Sequence, residues 1–85
     1  MLKFNKDDYD FFFPLLEEDE QKILAAVATS QDNEILIDDE DIEVDLYDWL
    51  NDLVASKGMD KDYDVNDTGK RLERLSDYMF SVIEE

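Results

Sequence analysis

The sequence contains no cysteine and no histidine among its 85 residues. Their absence excludes thiol nucleophiles, imidazole acid/base catalysis, disulfides and the usual zinc sites. Basic residues are also scarce, since 8 Lys and Arg stand against 25 Asp and Glu, which gives a formal net charge of -17 at pH 7. A chain with this charge repels nucleic acid and anionic membranes and attracts basic protein surfaces. We therefore expect a partner that is a basic protein, with no direct binding of nucleic acid or membrane.

Linkers and long apolar runs are missing as well. One Pro and two Gly in 85 residues indicate a single domain spanning residues 1–85, because chains of this size rarely divide into two stable cores. No apolar run approaches the length of about 20 residues that crosses a bilayer. Residues 1–10 mix both charges without the apolar core of a signal peptide. The sequence therefore predicts a soluble, cytoplasmic protein.

Aromatic side chains, 12% of the chain, recur at helical spacing and favour a folded domain over disorder. Asn5 is typical of an N-cap, and Tyr9, Phe12, Phe13 and Leu16 after it predict a short first helix. Pro14 breaks or kinks that helix. The acidic residues 17–20 then suit the start of a second helix, which we expect to end near residue 30.

The second half of the chain predicts two long helices. Apolar residues keep to one face over residues 41–57, and Gly58 follows at the position of a C-cap. A further amphipathic helix is predicted over residues 67–83, with Gly69 weakening its first turn. Residues 34–38 have strand character, and the alternation of apolar residues up to Leu46 offers a strand pair near 34–46. The predicted fold class is mainly α, a small four-helix domain with that possible strand pair, and α+β is the alternative.

Negative charge is concentrated in the middle of the chain. Residues 34–67 hold 13 acidic and 2 basic side chains, against 8 and 3 in residues 1–33 and 4 and 3 in residues 68–85. Four aspartates of the predicted third helix are spaced i, i+4, i+7 and i+11, which aligns them in one stripe: Asp41, Asp45, Asp48 and Asp52. Like charges so spaced destabilise a helix by roughly 0.2–0.5 kcal/mol per pair. The stripe therefore needs an explanation other than helix stability.

Two interpretations of the stripe are open. It is either the solvated face of a highly charged chain or a surface on which carboxylates take the place of phosphates. One charge per about 5 to 6 Å is sparse beside one per about 1.7 Å of axis in B-DNA. Other acidic residues raise the density of negative charge if they lie on the same side of the protein as the stripe. They fall in residues 7–10, 17–20, 38–43 and 60–67.

In size, acidity, lack of Cys and His, and helix-rich pattern, the chain resembles the small acidic inhibitors that bacteriophages and mobile elements make against host nucleic-acid enzymes. These include anti-CRISPR proteins that occupy the DNA-binding groove of a Cas nuclease. The resemblance covers the whole chain and is one of composition. It implies a DNA mimic whose carboxylates occupy a basic nucleic-acid-binding site on a partner protein. A Cas nuclease is one candidate for that partner.

Nine aspartates are the partner-binding residues that we expect. They are Asp38, Asp39, Asp41, Asp45, Asp48 and Asp52, followed by the loop residues Asp60, Asp62 and Asp64. The loop acids also raise the question of calcium, because residues 62–73 match an EF-hand loop at positions 1, 3, 5 and 12. However, Asp67 stands where the sharp turn needs glycine, and Lys70 and Arg71 bring positive charge close to the cation. An N-cap at Asn66 or Asp67 explains the pattern better, so we expect no metal or cofactor.

Enzyme activity is not expected. Paired carboxylates can catalyse glycoside hydrolysis or bind Mg²⁺. A chain this short, however, needs nearly all of its apolar side chains for one core, which leaves few for a substrate pocket, and it has no glycine-rich phosphate loop. The one basic cluster, Lys70, Arg71 and Arg74, is explained by pairing with Glu73 and Asp77 on the same helix.

The alternative function is a regulatory or structural interaction module that docks through apolar residues. The candidates are Phe11, Trp49 and Phe80. Phe80 lies off the main apolar stripe of its helix, so it is a candidate for an exposed contact residue, and the same holds for Phe11. Phe80 is either an interface residue, for instance in a homodimer, or it packs on the short first helix.

Self-repulsion predicts that the domain becomes more stable as salt is added. Between about 0.01 and 1 M ionic strength the screening length falls from about 30 to about 3 Å, which weakens repulsion among the acids. Thermal melts across this series should give a rising melting temperature. A flat or falling series would contradict the prediction.

Overall fold

A computed structural model describes residues 1–62 and 64–84, and within them it contains four α-helices and three β-strands. The helices are α1 Lys6–Phe12, α2 Glu18–Val27, α3 Glu40–Lys57 and α4 Asp67–Ile83. The strands are β1 Leu2–Asn5, β2 Ala28–Gln31 and β3 Glu34–Ile37. The mainly α fold class is confirmed, and the strands add a small antiparallel sheet.

The first two helices begin at the residues that the sequence marks. The side-chain oxygen of Asn5 accepts a hydrogen bond from the backbone N–H of Asp8 at 2.8 Å, so Asn5 is the predicted N-cap of α1. Pro14 lies in a short 3-10 helix, Phe13–Leu15, between α1 and α2. At the start of α2, Glu20 accepts from the backbone N–H of Glu17 at 3.0 Å. Both helices therefore have their first free N–H groups satisfied by nearby polar side chains.

The sheet differs from the predicted strand pair. Its strand order is β1-β3-β2, and both pairings are antiparallel. Asp32 and Asn33 connect β2 to β3 with φ angles of 50° and 60°, the left-handed conformation that a tight two-residue hairpin turn requires. The expected pairing of 34–38 with the alternating residues up to Leu46 is wrong, because Leu46 belongs to α3. The helix α2 also ends earlier than expected, since the residues after Val27 join the sheet.

The core joins the sheet to all four helices. Its fully buried members include Leu2, Phe4, Phe12, Leu24, Ile37, Leu46, Leu50, Leu72 and Met79. Aromatic rings join β1 to two of the helices. The ring centre of Phe4 in β1 lies 5.1 Å from that of Phe12 in α1 and 5.9 Å from that of Tyr78 in α4, and both contacts are edge to face. Tyr9 adds an edge contact to Phe12 at 5.4 Å. Burial, followed by the nearby Asp10 carboxylate, raises the pKa of Tyr9 above its ordinary value of 10.0.

Both glycines lie where α3 and α4 come together. A Cβ atom added to Gly58 would lie 2.7 Å from the Cα of Gly69, and one added to Gly69 would run into the carbonyl oxygen of Gly58. Gly58 is the C-cap of α3, as expected, but its φ of -95° is one that any residue adopts. Close approach, and not a left-handed backbone, is therefore what requires glycine at these two positions.

Replacing Gly69 with alanine should destabilise the protein. In an exposed helix Gly→Ala stabilises by about 1 kcal/mol, but here the added methyl group must push α4 away from α3, and overpacking costs typically about 1–3 kcal/mol. Chemical denaturation of Gly69→Ala should show a clear loss of unfolding free energy. Lys70→Ala, at the next and exposed position, should change it by less than about 0.5 kcal/mol. An increase in stability for Gly69→Ala would contradict the close approach.

Candidate functional site on the acidic face of α3

The helix α3 carries four of the nine predicted site residues and is about 27 Å long at 1.5 Å per residue. It begins after Asp39, whose Oδ1 accepts a hydrogen bond from the backbone N–H of Ile42 at 3.1 Å. Leu46, Leu50 and Leu53 are buried along one side of it. This leucine side packs into the core and fixes which side of α3 faces solvent.

The four-aspartate stripe lies on the solvent side of α3. All four residues, Asp41, Asp45, Asp48 and Asp52, are exposed. At 100° per residue they occupy about 60° of the helix circumference, roughly opposite the leucines. Within residues 1–62 and 64–84, none of them takes part in an ion pair. The stripe is therefore a row of solvated carboxylates with which no cation of the described residues pairs.

The remaining predicted site residues lie at the two ends of α3. Asp38 and Asp39 precede its N-terminus, and both are exposed. Beyond its C-terminus, Oδ1 of Asp60 accepts from the backbone N–H groups of Asp62 at 2.9 Å and Asp64 at 3.1 Å. These three loop acids are exposed too. The structure thus brings six of the nine aspartates onto α3 or its N-terminal end, and the other three follow in the turn after it, where Asp60 also shapes the loop.

Acids of the first third of the chain are used differently. Asp8 forms an ion pair with Arg71 at 3.0 Å, and Glu18 pairs with Lys22 at 3.4 Å. Glu20 caps α2 through the backbone of Glu17. These carboxylates contribute to local structure, whereas those of the stripe do not.

One acidic residue of α3 was not expected to be buried. Glu43 is 6% exposed, and its Oε1 lies 3.0 Å from the α-ammonium group of Met1. The sequence does contain a signal for this, because Glu43 precedes Leu46 by three residues and Leu50 by seven, which places it on the leucine face. A buried carboxylate needs a partner of opposite charge, and the amino group supplies it.

The loop before α4 serves as a helix cap. Oδ1 of Asn66 accepts from the backbone N–H of Gly69 at 2.8 Å, and its Nδ2 donates to the carbonyl oxygen of Lys57 at 3.3 Å. The cap interpretation of this loop is therefore confirmed for Asn66. Among the residues with described positions, no three acidic side chains come close enough together to hold a metal ion.

Within the described residues, Arg71 is the one member of the basic cluster that forms an ion pair, and it pairs across helices. The guanidinium of Arg71 reaches Asp8 of α1 and lies 4.2 Å above the ring centre of Phe11. The expected pairing within α4 is therefore wrong for Arg71, because α1 packs close enough to supply its carboxylate. The same contact partly covers Phe11, which is half-buried.

The two other aromatic candidates differ in exposure. Trp49 is half-buried and packs against the core. Phe80 is 50% exposed, and its ring lies 6.0 Å from that of Tyr47 on α3. This ring contact is with α3 and not with an aromatic residue of the short first helix. Phe80 is therefore the aromatic candidate that keeps a large free surface.

Comparisons with protein-family models, curated proteins and solved structures find no significant match to this chain. No helix in the part of the chain described by the structure is long and apolar enough to cross a membrane.

Reversing the charge of the stripe should leave α3 folded. The variant Asp41→Lys/Asp45→Lys/Asp48→Lys keeps like-charge pairs at positions 41/45 and 45/48 and turns the pair at positions 48/52 from repulsion into attraction, each worth roughly 0.2–0.5 kcal/mol. The change at position 41 also loses a helix-dipole interaction of about 0.3–1 kcal/mol. We expect undiminished helical circular dichroism and an unfolding free energy within about 1 kcal/mol of the parent.

A control variant with the same change in net charge is Asp19→Lys/Glu73→Lys/Asp77→Lys, because these three acids are exposed and lie outside α3. Loss of helix in the stripe variant, with the control intact, would show that the stripe is needed for folding.

Proposed function

We propose that this protein is a non-enzymatic binding protein that uses the acidic face of α3 to occupy a basic nucleic-acid-binding site on another protein. In this role it is a DNA mimic, a phage or mobile-element inhibitor of the kind that anti-CRISPR proteins exemplify, acting in the host cytoplasm. The observation that carries the proposal is the row of four exposed, unpaired aspartates on α3. The fold uses the leucine side of this helix for its core and leaves the aspartate side for a partner.

The spacing of the stripe is best compared with one DNA strand. A groove that holds nucleic acid places its Lys and Arg along a phosphate backbone, in which one strand carries a charge every 3.4 Å or so. The stripe carries one every 5 to 6 Å or so. Although the stripe is sparser than one strand, a row of flexible Lys and Arg side chains can contact successive carboxylates of α3, with release of counterions.

Binding of this kind also relieves a cost within the protein. The aspartates of the stripe repel one another, and a cationic groove replaces that repulsion with attraction. A partner that binds only the folded state stabilises it by mass action. The row of aspartates on α3, which is unfavourable in the free protein, thus becomes favourable in the complex.

A second candidate function has an observation in its favour. Phe80 and Val44 are 50% and 46% exposed, and Phe80 is in ring contact with α3 through Tyr47. These residues offer apolar area for a regulatory or structural interaction module. Apolar docking depends little on salt, whereas contacts between carboxylates and cations weaken as salt rises.

Affinity capture with the purified protein tests the first proposal. Four baits are presented to a bacterial lysate: the parent, the stripe variant, the control of equal charge, and Phe80→Ala. Partners are eluted with a salt gradient and identified by mass spectrometry. We expect nucleic-acid enzymes to bind the parent, the control and Phe80→Ala, to be lost from the stripe variant, and to be displaced by added duplex DNA.

Other outcomes separate the alternatives. Equal loss from the stripe variant and its control would mean that bulk charge alone attracts the partner. A partner that survives the gradient, ignores DNA and is lost from Phe80→Ala would favour the apolar module. Binding unchanged in the stripe variant would overturn the proposed role of α3.

A further inference from the structure

A cavity of about 400 Å³ opens between β1 and α4, away from the stripe residues. Its size falls within the range of about 300–1,000 Å³ typical of small-molecule sites. The residues that line it are Lys3, Phe4, Asn5, Asp8, Arg71, Arg74, Leu75 and Tyr78.

The cavity is positively charged in a strongly negative protein. It collects three of the eight basic residues, Lys3, Arg71 and Arg74, against one acid, Asp8. Its lining therefore has a formal charge of +2, while the whole chain has -17. Although 25 acids are present, neither Lys3 nor Arg74 forms an ion pair within the described residues.

Arg71 is held in place before any ligand arrives. Its Nη2 lies 3.0 Å from Oδ1 of Asp8, and its guanidinium carbon lies 4.2 Å from the ring centre of Phe11. The guanidinium group has five N–H donors, so these contacts leave donors available. A side chain fixed in this way loses little conformational entropy when it binds an anion.

The other walls supply a hydroxyl group and apolar surface. The Tyr78 hydroxyl oxygen accepts a hydrogen bond from the backbone N–H of Lys3 at 2.9 Å. That bond leaves the hydroxyl hydrogen free to be donated. Tyr78 is 36% exposed and its ring supplies the apolar contact area, while Phe4 and Leu75 lie beneath the cavity and are nearly fully buried.

We propose that this cavity binds the phosphate group of a small organic phosphate monoester. A phosphate monoester has a charge of about -1.5 to -2 at pH 7, which matches the +2 of the lining, whereas a monocarboxylate matches half of it. Arginine forks suit phosphate oxygens. The carbon portion of the ligand packs against the exposed ring of Tyr78.

The net charge of the protein does not prevent such binding. At physiological ionic strength the screening length is about 8 Å, so acids farther from the cavity contribute little to its potential. The cations that line the cavity are nearest to the ligand and therefore dominate. This inference uses none of the stripe residues and is independent of the proposed function.

Phenyl phosphate is the probe that we would use to test the site. It is titrated into the full chain at constant ionic strength, and amide shifts are followed by two-dimensional NMR. We expect saturable shifts at Lys3, Arg71, Arg74 and Tyr78, with affinity at least tenfold higher than for benzoate and several-fold higher than for inorganic phosphate. Arg74→Gln should weaken binding at least tenfold.

The matched control is Lys70→Gln, which removes the same charge from α4 at an exposed position outside the cavity. It should change the affinity by less than twofold. Equal weakening by the two variants would overturn the site, because bulk charge would then explain the binding. Absence of saturable shifts, or benzoate binding as tightly as phenyl phosphate, would overturn the phosphate assignment. Lys3→Gln, on a separate element, repeats the test if the spectrum of Arg74→Gln shows an altered fold.

Discussion

Mutual repulsion among acidic side chains is the constraint on which this structure depends. A net charge of -17 on 85 residues opposes compaction, so the fold places acids where something offsets them or where water solvates them. Acids fill the first turns of α2 and α3, where the helix dipole favours them. Asp8 and Glu43 have cationic partners. The stripe on α3 has neither kind of compensation along most of its length, which is why we propose it as the partner-binding surface.

The packing that presents this surface is built from a few close contacts. Gly58 and Gly69 allow α3 and α4 to approach closely at one end, and the rings of Phe4, Phe12 and Tyr78 join β1 and α1 to α4. These contacts bury the leucine side of α3 and so turn its aspartates outward. They also place the start of β1 beside α4, which creates the basic cavity. The acidic face and the cavity are therefore two consequences of one arrangement of helices.

Helical periodicity made the second half of the chain predictable. The predicted ranges 41–57 and 67–83 agree with Glu40–Lys57 and Asp67–Ile83 within a residue, and the same period placed the stripe on the exposed side. The strands were harder to foresee: β1 and β2 have four residues each, which is too short for alternation to be distinctive, and β2 is polar. Its strand conformation depends on pairing with β3, which the two-residue turn at residues 32–33 brings alongside. The cavity could not be predicted, because it joins Lys3 to Arg71 and Arg74 through tertiary packing.

The two charged surfaces also bear on each other through the field of the whole molecule. A cationic partner on α3 would cancel part of the negative potential that disfavours anions everywhere on the protein, so it would raise the affinity of the cavity for phosphate. By linkage, phosphate in the cavity would strengthen the binding of the cationic partner by the same factor, because the partner's charge attracts the anion and the anion's charge attracts the partner. Both therefore act in the same direction, since the coupling free energy between two sites is reciprocal. Screening over about 8 Å limits its size, so the coupling is strongest at low salt, and at physiological salt each surface acts largely on its own.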